Sequence, residues 1–289
     1  MAIIHHYMAA AKMLLTATLA LSGAQAAAIQ KRASSGYNDF DCKPSAAHPR
    51  PVILIHGTAC TSVSWIALYP KLVKEGYCVF APDYGQYTIP FIGGTGPINE
   101  SAVQVGKFAE KVLRATGATQ ADFVGHSQGG LIARYWSLFL GGEGKIGATV
   151  GIAATTHGTT LSGFTTLLHE TGTDKAARPV TDLIVPSLAQ QSEYLDFYDK
   201  LNAKGDSLPN VRQFNIATRT DLVVTPTENA FQYDNPDTVN VILQDLCPAD
   251  LSGHAALLIS PVVHRWVMNQ LDPSNAKDID CRGSLILPV

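Results

Sequence analysis

Short apolar runs alternate along the chain with amphipathic stretches, a pattern typical of buried strands separated by surface helices. Between residues 101 and 116 the apolar positions fall on one helical face, and Gly117 follows as a stop signal. This alternation predicts an α/β fold with a mostly parallel central sheet flanked by helices. The predicted strands are residues 51–55, 77–81, 121–124, 146–154, 211–217 and 238–244, and the predicted helices are residues 65–75, 101–116, 131–140 and 262–271.

One segment departs from this alternation. Between Gly158 and Pro209 about 50 residues separate two predicted strands, which is far more than a single crossover helix needs. We interpret residues 158–209 as a cap inserted into a single α/β domain.

The N-terminus has the features of a targeting segment. It begins with a stretch that contains basic residues and no acid, continues as a short apolar run, and reaches the small residues of Ala24-Gln25-Ala26. Residues 1–26 are therefore predicted to be a secretory signal peptide, and the protein is expected to be extracellular. Lys31-Arg32 is either a processing site or an uncleaved surface pair. Processing there makes residues 27–32 a propeptide and residues 33–289 the mature domain.

Composition excludes several classes of partner. The 21 basic and 24 acidic residues give a net charge of -3, which is not the basic balance that a nucleic-acid binder needs. Beyond the signal segment no apolar run reaches the roughly 18 residues that span a bilayer, so no transmembrane anchor is expected. No Cys/His spacing resembles a zinc site, and we expect neither a metal nor an organic cofactor. The sequence leaves the oligomeric state open.

Five cysteines follow the signal segment, and a secreted protein favours disulfides. Position along the chain favours the pairs Cys42–Cys78 and Cys247–Cys281 with Cys60 free, but spacing alone also allows a pairing that includes Cys60. A sequon at Asn99-Glu100-Ser101 is compatible with N-glycosylation of Asn99.

Candidate chemistry begins at Gly125-His126-Ser127-Gln128-Gly129, which directly follows a predicted strand and precedes a predicted helix. A serine on such a turn has a strained backbone that only small neighbours tolerate, and its hydroxyl faces outward. Ser127 is therefore the predicted nucleophile. The Gln128 amide, which opens the helix, is directed at the negative charge that develops on a carbonyl oxygen under attack.

A second oxyanion donor is expected from His56-Gly57-Thr58, which follows the strand at 51–55. Glycine at this strand end lets the amide of Thr58 approach the substrate oxygen. Taken alone, the same residues are also compatible with an ordinary strand end.

A serine nucleophile needs a general base, and the base needs an acid that fixes its tautomer. His254 follows the last predicted strand and is favoured as the base over His157, which follows the strand at 146–154. Asp221, in the loop after the strand at 211–217, is favoured as the acid. The rival acids are Asp245, Asp83 and Asp250.

The order Ser127, Asp221, His254 behind His56-Gly57-Thr58 resembles the α/β-hydrolase superfamily. Further motifs, spread over nearly all of the mature chain, are similar to those of the secreted class 2 triacylglycerol lipases and esterases of fungi and actinomycetes. These motifs are Cys42-Lys43-Pro44-Ser45, residues 52–58, Gly76-Tyr77-Cys78-Val79-Phe80, Gly94-Thr95-Gly96-Pro97-Ile98, residues 125–130, His157-Gly158-Thr159-Thr160, residues 221–226 and Cys247-Pro248.

The resemblance implies a serine carboxylic-ester hydrolase that works through an acyl-enzyme on Ser127. It implies His254 as the base and Asp221 as the orienting acid. The amides of Thr58 and Gln128 would be the oxyanion donors. Cys60, two residues past the oxyanion loop, is a departure from the family pattern.

The substrate class depends on apolar residues in and near the cap. These side chains either cover an acyl cleft or form the cap's own small core. We expect a lipid or other acyl ester of medium or long chain as substrate, with transient contact to a lipid interface. A triacylglycerol lipase is favoured over a short-chain esterase, and a lipid acyltransferase and a catalytically silent binding protein stay as alternatives. The candidate substrate-binding residues are His157, Phe164, Leu167, Leu183, Val185 and Val223.

Overall fold

A computed structural model of the chain describes residues 37–173, 179, 182–192 and 196–284. The predicted signal peptide and propeptide lie outside these residues. Six strands form one sheet in the order β2-β1-β3-β4-β5-β6, and every neighbouring pair is parallel. The predicted fold class is confirmed. The strands are β1 Val52–Ile55, β2 Val79–Phe80, β3 Ala121–His126, β4 Ile146–Ile152, β5 Arg212–Ala217 and β6 Val239–Ile242.

Helices cover both faces of the sheet. The α-helices of the described residues are α1 Tyr69–Lys74, α2 Ile98–Thr116, α3 Gln128–Phe139, α4 Phe164–Glu170, α5 Pro186–Gln190, α6 Asp196–Asn202, α7 Leu243–Leu246 and α8 Pro261–Leu271. Along β1, Val52 and Leu54 pack into the core under α1 and α8, whereas Ile53 and Ile55 pack into the core under α2 and α3. Because both faces are covered, β1 reads in the sequence as an uninterrupted apolar run.

Three helices begin later or earlier than predicted. The predicted helix at 65–75 is shortened to α1, because Pro70 lacks an amide proton and is tolerated only in a first turn. Helix α2 begins at Ile98, whose amide donates to Gln190 Oε1 over 2.8 Å. Helix α3 begins at Gln128, directly after the turn at Ser127.

Two disulfides lie near opposite edges of the sheet. Disulfides join Cys42 to Cys78, directly before β2, and Cys247, directly after α7, to Cys281. Cys60 is a free thiol.

The outer edge of β2 is covered by the segment that precedes β1. Tyr37 bridges Val79, and the Asn38 amide nitrogen donates to the Val79 carbonyl over 2.9 Å. The Asn38 side chain then bonds both backbone groups of Ala81, over 3.0 and 2.8 Å. These contacts satisfy edge groups that would otherwise be open to another strand.

The inserted segment at 158–209 contains α4, α5 and α6, and its apolar side chains divide into two groups. Tyr198 and Leu201 of α6 are buried in the core under α3. Phe164 and Leu167 of α4 are exposed, as are Leu183 and Ile184. Within the described ranges, no helix combines the length and the apolar character that crossing a bilayer requires.

Candidate active site

Ser127 lies on the sharp turn between β3 and α3, in a backbone conformation that few residues adopt. Its φ of 53° and ψ of −128° place it outside the allowed regions of an ordinary residue. Helix α3 approaches β1 so closely that a Cβ at Gly129 would overlap the carbonyl oxygen of Ile55. This close packing requires glycine beside the serine and holds the strained turn in place.

The loop after β1 reaches the same point. Ile55 pairs with Gly125 across the sheet, and a Cβ on Gly57 would lie 3.0 Å from the Ser127 Cβ. In the described part of the chain, the Thr58 amide donates to no protein acceptor. The amide of Gln128 opens α3, where an N–H has no partner within its own helix. Two unpaired amides therefore flank the serine, as an oxyanion hole requires.

The Thr58 side chain is held by two glutamines. Its Oγ1 accepts from Gln128 Nε2 over 3.0 Å and from Gln191 Nε2 over 2.8 Å. Sequence reasoning missed Gln191, because nothing in the local pattern of the inserted segment points to a contact 133 positions away.

His254 and Asp221 form a direct pair. His254 Nδ1 lies 2.8 Å from Asp221 Oδ2, and the two side chains are 11% and 2% exposed. The other carboxylate oxygen accepts from the amides of Val223 and Val224, over 2.7 and 2.9 Å. The Thr220 hydroxyl donates to the Ser252 carbonyl over 2.9 Å and so joins the loops that carry the two residues.

A second histidine, His126, contacts His254 and directly precedes Ser127 in the chain. His126 Nε2 lies 3.0 Å from the His254 carbonyl oxygen, and the two ring centroids are 4.6 Å apart. Burial lowers the pKa of His126 to about 3, with the neighbouring His254 lowering it further. His126 is therefore neutral when folded and donates through Nε2–H. Sequence reasoning missed this contact.

Ser127 Oγ and His254 Nε2 form no hydrogen bond with each other in this structure. His126 links the two segments, since it precedes Ser127 in the chain and contacts both the ring and the carbonyl of His254. Hydrogen bonds between catalytic groups are often long before substrate binds and shorten in the complex.

The rival residues have other partners. His157 Nε2 lies 3.0 Å from Asp206 Oδ1, and its ring stacks 6.3 Å from that of Tyr233. The rival acids each make local bonds: Asp83 accepts from the Ser62 amide, exposed Asp245 pairs with Arg219, and buried Asp250 accepts from the amide and hydroxyl of Ser252.

The remaining sequence candidates surround the acid loop and the inserted segment. The Val223 carbonyl accepts from the Thr159 hydroxyl, which ties the acid loop to the start of the insertion. Phe164, Leu167, Leu183 and Val223 have exposed side chains, and Val185 is half-buried. Asn99, in the first turn of α2, is exposed.

A family model for the α/β hydrolase fold matches residues 50–179. The triacylglycerol lipases of Pseudarthrobacter phenanthrenivorans and Burkholderia plantarii are each 36% identical over 96 residues, or 31% of this chain. The match spans 28% and 25% of those two relatives, about a quarter of their length.

Solved lipase structures have the same fold. Lipase B of Aspergillus fumigatus superposes with a TM-score of 0.61 at 18% identity, over 83% of this chain and 57% of that one. The mature form of the lipase BlEst2 of Bacillus licheniformis superposes with a TM-score of 0.57 at 15% identity, over 79% of this chain and 94% of that one.

Proposed function

Since this chain belongs to the α/β-hydrolase superfamily of lipase and esterase type, we propose that it is a secreted serine hydrolase of carboxylic esters. One observation carries the proposal. His254 and Asp221 form a pair 2.8 Å apart, and the His254 ring lies against His126. His126 directly precedes Ser127, which has a strained backbone and lies between two free amides. This arrangement has the parts of a nucleophile, a base, an orienting acid and an oxyanion hole.

The mechanism follows from these roles. His254 accepts the proton of Ser127 as the hydroxyl oxygen bonds to the ester carbonyl carbon, and the Thr58 and Gln128 amides stabilise the resulting oxyanion. The protonated imidazole, held by Asp221, then gives its proton to the leaving alcohol. Water attacks the acyl-enzyme by the same route, and the products are the carboxylic acid and free Ser127.

Exposed apolar side chains support a substrate with a medium or long acyl chain. Phe164, Leu167 and Leu183 are 57%, 58% and 68% exposed, and Phe164 and Leu167 lie three positions apart on α4, so that they are neighbours on one helix face. They belong to the inserted segment, which is joined to the acid loop through Thr159 and Val223. We infer that this segment meets a lipid surface transiently while an acyl chain enters the site.

Secretion is supported by the signal-like N-terminus and by two disulfides, which persist in oxidising compartments. Exposed Asn99 is proposed as a glycosylation site on that route.

Labelling with a fluorophosphonate followed by peptide mapping tests the nucleophile. We expect labelling on Ser127 and at least about a 10,000-fold loss of ester hydrolysis in Ser127→Ala, with the melting temperature preserved. Ser274→Ala, which changes an exposed serine on the turn after α8, is the matched control and should keep full activity. A folded wild-type protein that is neither labelled nor active would reject the enzyme in favour of a binding protein.

Two assays resolve the reaction and the substrate class. Emulsified triglycerides should be hydrolysed faster than soluble short-chain esters, and turnover of the short esters alone would reject the lipase assignment. In aqueous alcohol we expect the free acid as the main product, whereas a dominant transferred ester would indicate an acyltransferase.

A further inference from the structure

Gln191 closes α5 in the inserted segment, and its side chain is buried at 3% exposure. All its polar groups are engaged. Nε2 donates to Thr58 Oγ1 over 2.8 Å and to the Ser187 carbonyl over 3.0 Å, and Oε1 accepts from Thr155 Oγ1 over 3.0 Å. The amide therefore connects the loop after β1 with the residues after β4.

Both of these attachment points belong to the surroundings of the serine. Thr58 carries one of the two free amides, and the Thr155 amide donates to the Ser127 carbonyl over 3.3 Å. One glutamine thus spans the candidate oxyanion hole from its donor loop to the turn that carries the nucleophile.

The hydrogen bond from Gln191 fixes the position of the Thr58 side chain. A hydroxyl oxygen has two lone pairs, and that of Thr58 accepts from both Gln128 and Gln191. With both occupied, the hydroxyl position is fixed, and because threonine is stiff at χ1 the backbone of Thr58 is fixed with it.

The loop does not depend on Gln191 for its overall path. The Tyr84 hydroxyl holds the His56 carbonyl over 2.5 Å, and the Gly93 amide holds the Cys60 carbonyl over 3.1 Å. Loss of the Gln191 bond would therefore leave Thr58 Oγ1 held by Gln128 alone, in the middle of a loop whose two ends stay attached.

Building on the proposed ester hydrolysis, we propose that Gln191 is a positioning residue that sets the oxyanion donor at Thr58. The inserted segment is then more than a cover over the site, because it supplies the side chain that aligns a catalytic amide. Misplacement of a donor costs the transition state more than the bound substrate, so the effect belongs in kcat.

The test replaces Gln191 in two ways. Gln191→Met keeps a similar length and removes every side-chain hydrogen bond. Gln191→Glu, when ionised, keeps an acceptor for Thr155, has no N–H for the Ser187 carbonyl, and can bond Thr58 only if the threonine hydroxyl turns to donate. We expect kcat to fall about 10- to 100-fold in both, with KM within about twofold and a matching loss in the rate of Ser127 phosphonylation. A purely structural role would lower the folded fraction and leave kcat per folded molecule unchanged.

Gln190→Glu is the matched control, since it makes the same chemical change one residue earlier. Within the described residues the Gln190 side chain serves as an acceptor, for the Ile98 amide, and a carboxylate accepts equally well at the first turn of α2. We expect unchanged kcat and KM.

A double-mutant cycle with Thr58→Val decides whether Gln191 works through the threonine. Valine keeps the amide and removes the hydroxyl, so Gln191→Met should then cost less than about twofold in kcat. A tenfold or larger loss in the Thr58→Val background, or full kcat in folded single variants, would overturn the proposal. Wild type that is inactive and unlabelled at Ser127 would instead reject the proposed function itself.

Discussion

Asp221 uses its two carboxylate oxygens for different tasks. Oδ2 is committed to His254 Nδ1, while Oδ1 accepts from two backbone amides of its own loop. The backbone bonds fix the carboxylate, and the carboxylate fixes the imidazole. A buried acid held in this way orients the base without needing to exchange a proton itself.

Asp221→Asn is expected to lower kcat by about 10,000-fold while leaving the fold intact. The asparagine Oδ1 can still accept from the amides of Val223 and Val224, but its NH₂ group cannot accept from Nδ1–H and therefore favours the wrong tautomer of His254. Steady-state hydrolysis of a soluble ester measures the loss, and circular dichroism reports the fold.

Asp245→Asn is the control for this substitution. Asp245 pairs with exposed Arg219 and is 59% exposed itself, so activity should change by less than about twofold. Equal losses in both variants, or a loss below tenfold at residue 221, would contradict the assignment of the acid.

At this scale the sequence predicts roles that follow chain order, and it gives no signal for those that depend on contacts. Ser127, Asp221 and His254 stand after strands in an order that the chemistry of a serine nucleophile explains. His126 and Gln191 act through partners 128 and 133 positions away, and neither hydropathy nor spacing carries that information.

At the scale of elements, the site depends on how closely α3 lies against β1. A Cβ at Gly129 would overlap backbone atoms of Ile55, and backbone, unlike a flexible side chain, has little room to move. The strained turn at Ser127 is therefore a product of strand and helix packing rather than of the serine itself.

Gly129→Ala is expected to lower the free energy of unfolding by about 3 kcal/mol or more, because the added methyl group pushes α3 away from the sheet. Gly117→Ala is a matched control: its φ of 79° disfavours alanine, but no atom lies within 4 Å of the added Cβ. There we expect a loss on the order of 1 kcal/mol. Urea denaturation measures both, and similar losses would argue against close packing as the cause.

Strand β1 was the easiest to predict, because it is buried on both faces and forms a continuous apolar run, whereas β5 carries polar residues and β6 is at most half-buried. The first residues of the helices were harder to predict, since they depend on tertiary partners such as the Gln190 side chain at Ile98. The short helices α4, α5 and α6 have too few turns to give a clear periodicity, so the sequence predicted an insertion without its internal structure.

For the whole molecule, buried histidines link the fold to pH. His264 is 1% exposed, with Nδ1 2.8 Å from Lys71 Nζ and Nε2 2.8 Å from the Leu258 carbonyl. Burial is the main cause that lowers its pKa to about 4, and the Lys71 charge adds to the effect. An unfolded histidine has a pKa of about 6.5, so between these values the unfolded chain binds a proton that the folded chain does not.

Stability should therefore be complete above about pH 6.5 and fall as the pH decreases toward about 4. His264→Gln removes this titration, while the amide can still accept from Lys71 and donate to Leu258. Between pH 7 and pH 4.5 we expect wild type to lose up to about 3 kcal/mol more unfolding free energy than the variant, measured by urea denaturation at each pH. Parallel losses would show that other groups dominate acid unfolding.

Tyr37 and Asn38 cover the outer edge of β2, and this cover prevents two copies of the protein from pairing through that edge. Processing after Lys31-Arg32 would leave both residues on the chain, and the edge of β2 would stay covered. Removal of a further six residues would take both side chains away and expose the edge of β2 to pairing with a neighbouring copy. N-terminal truncation should therefore be tolerated up to Asn38. Truncations that remove Asn38 should cause aggregation before they cause a loss of activity.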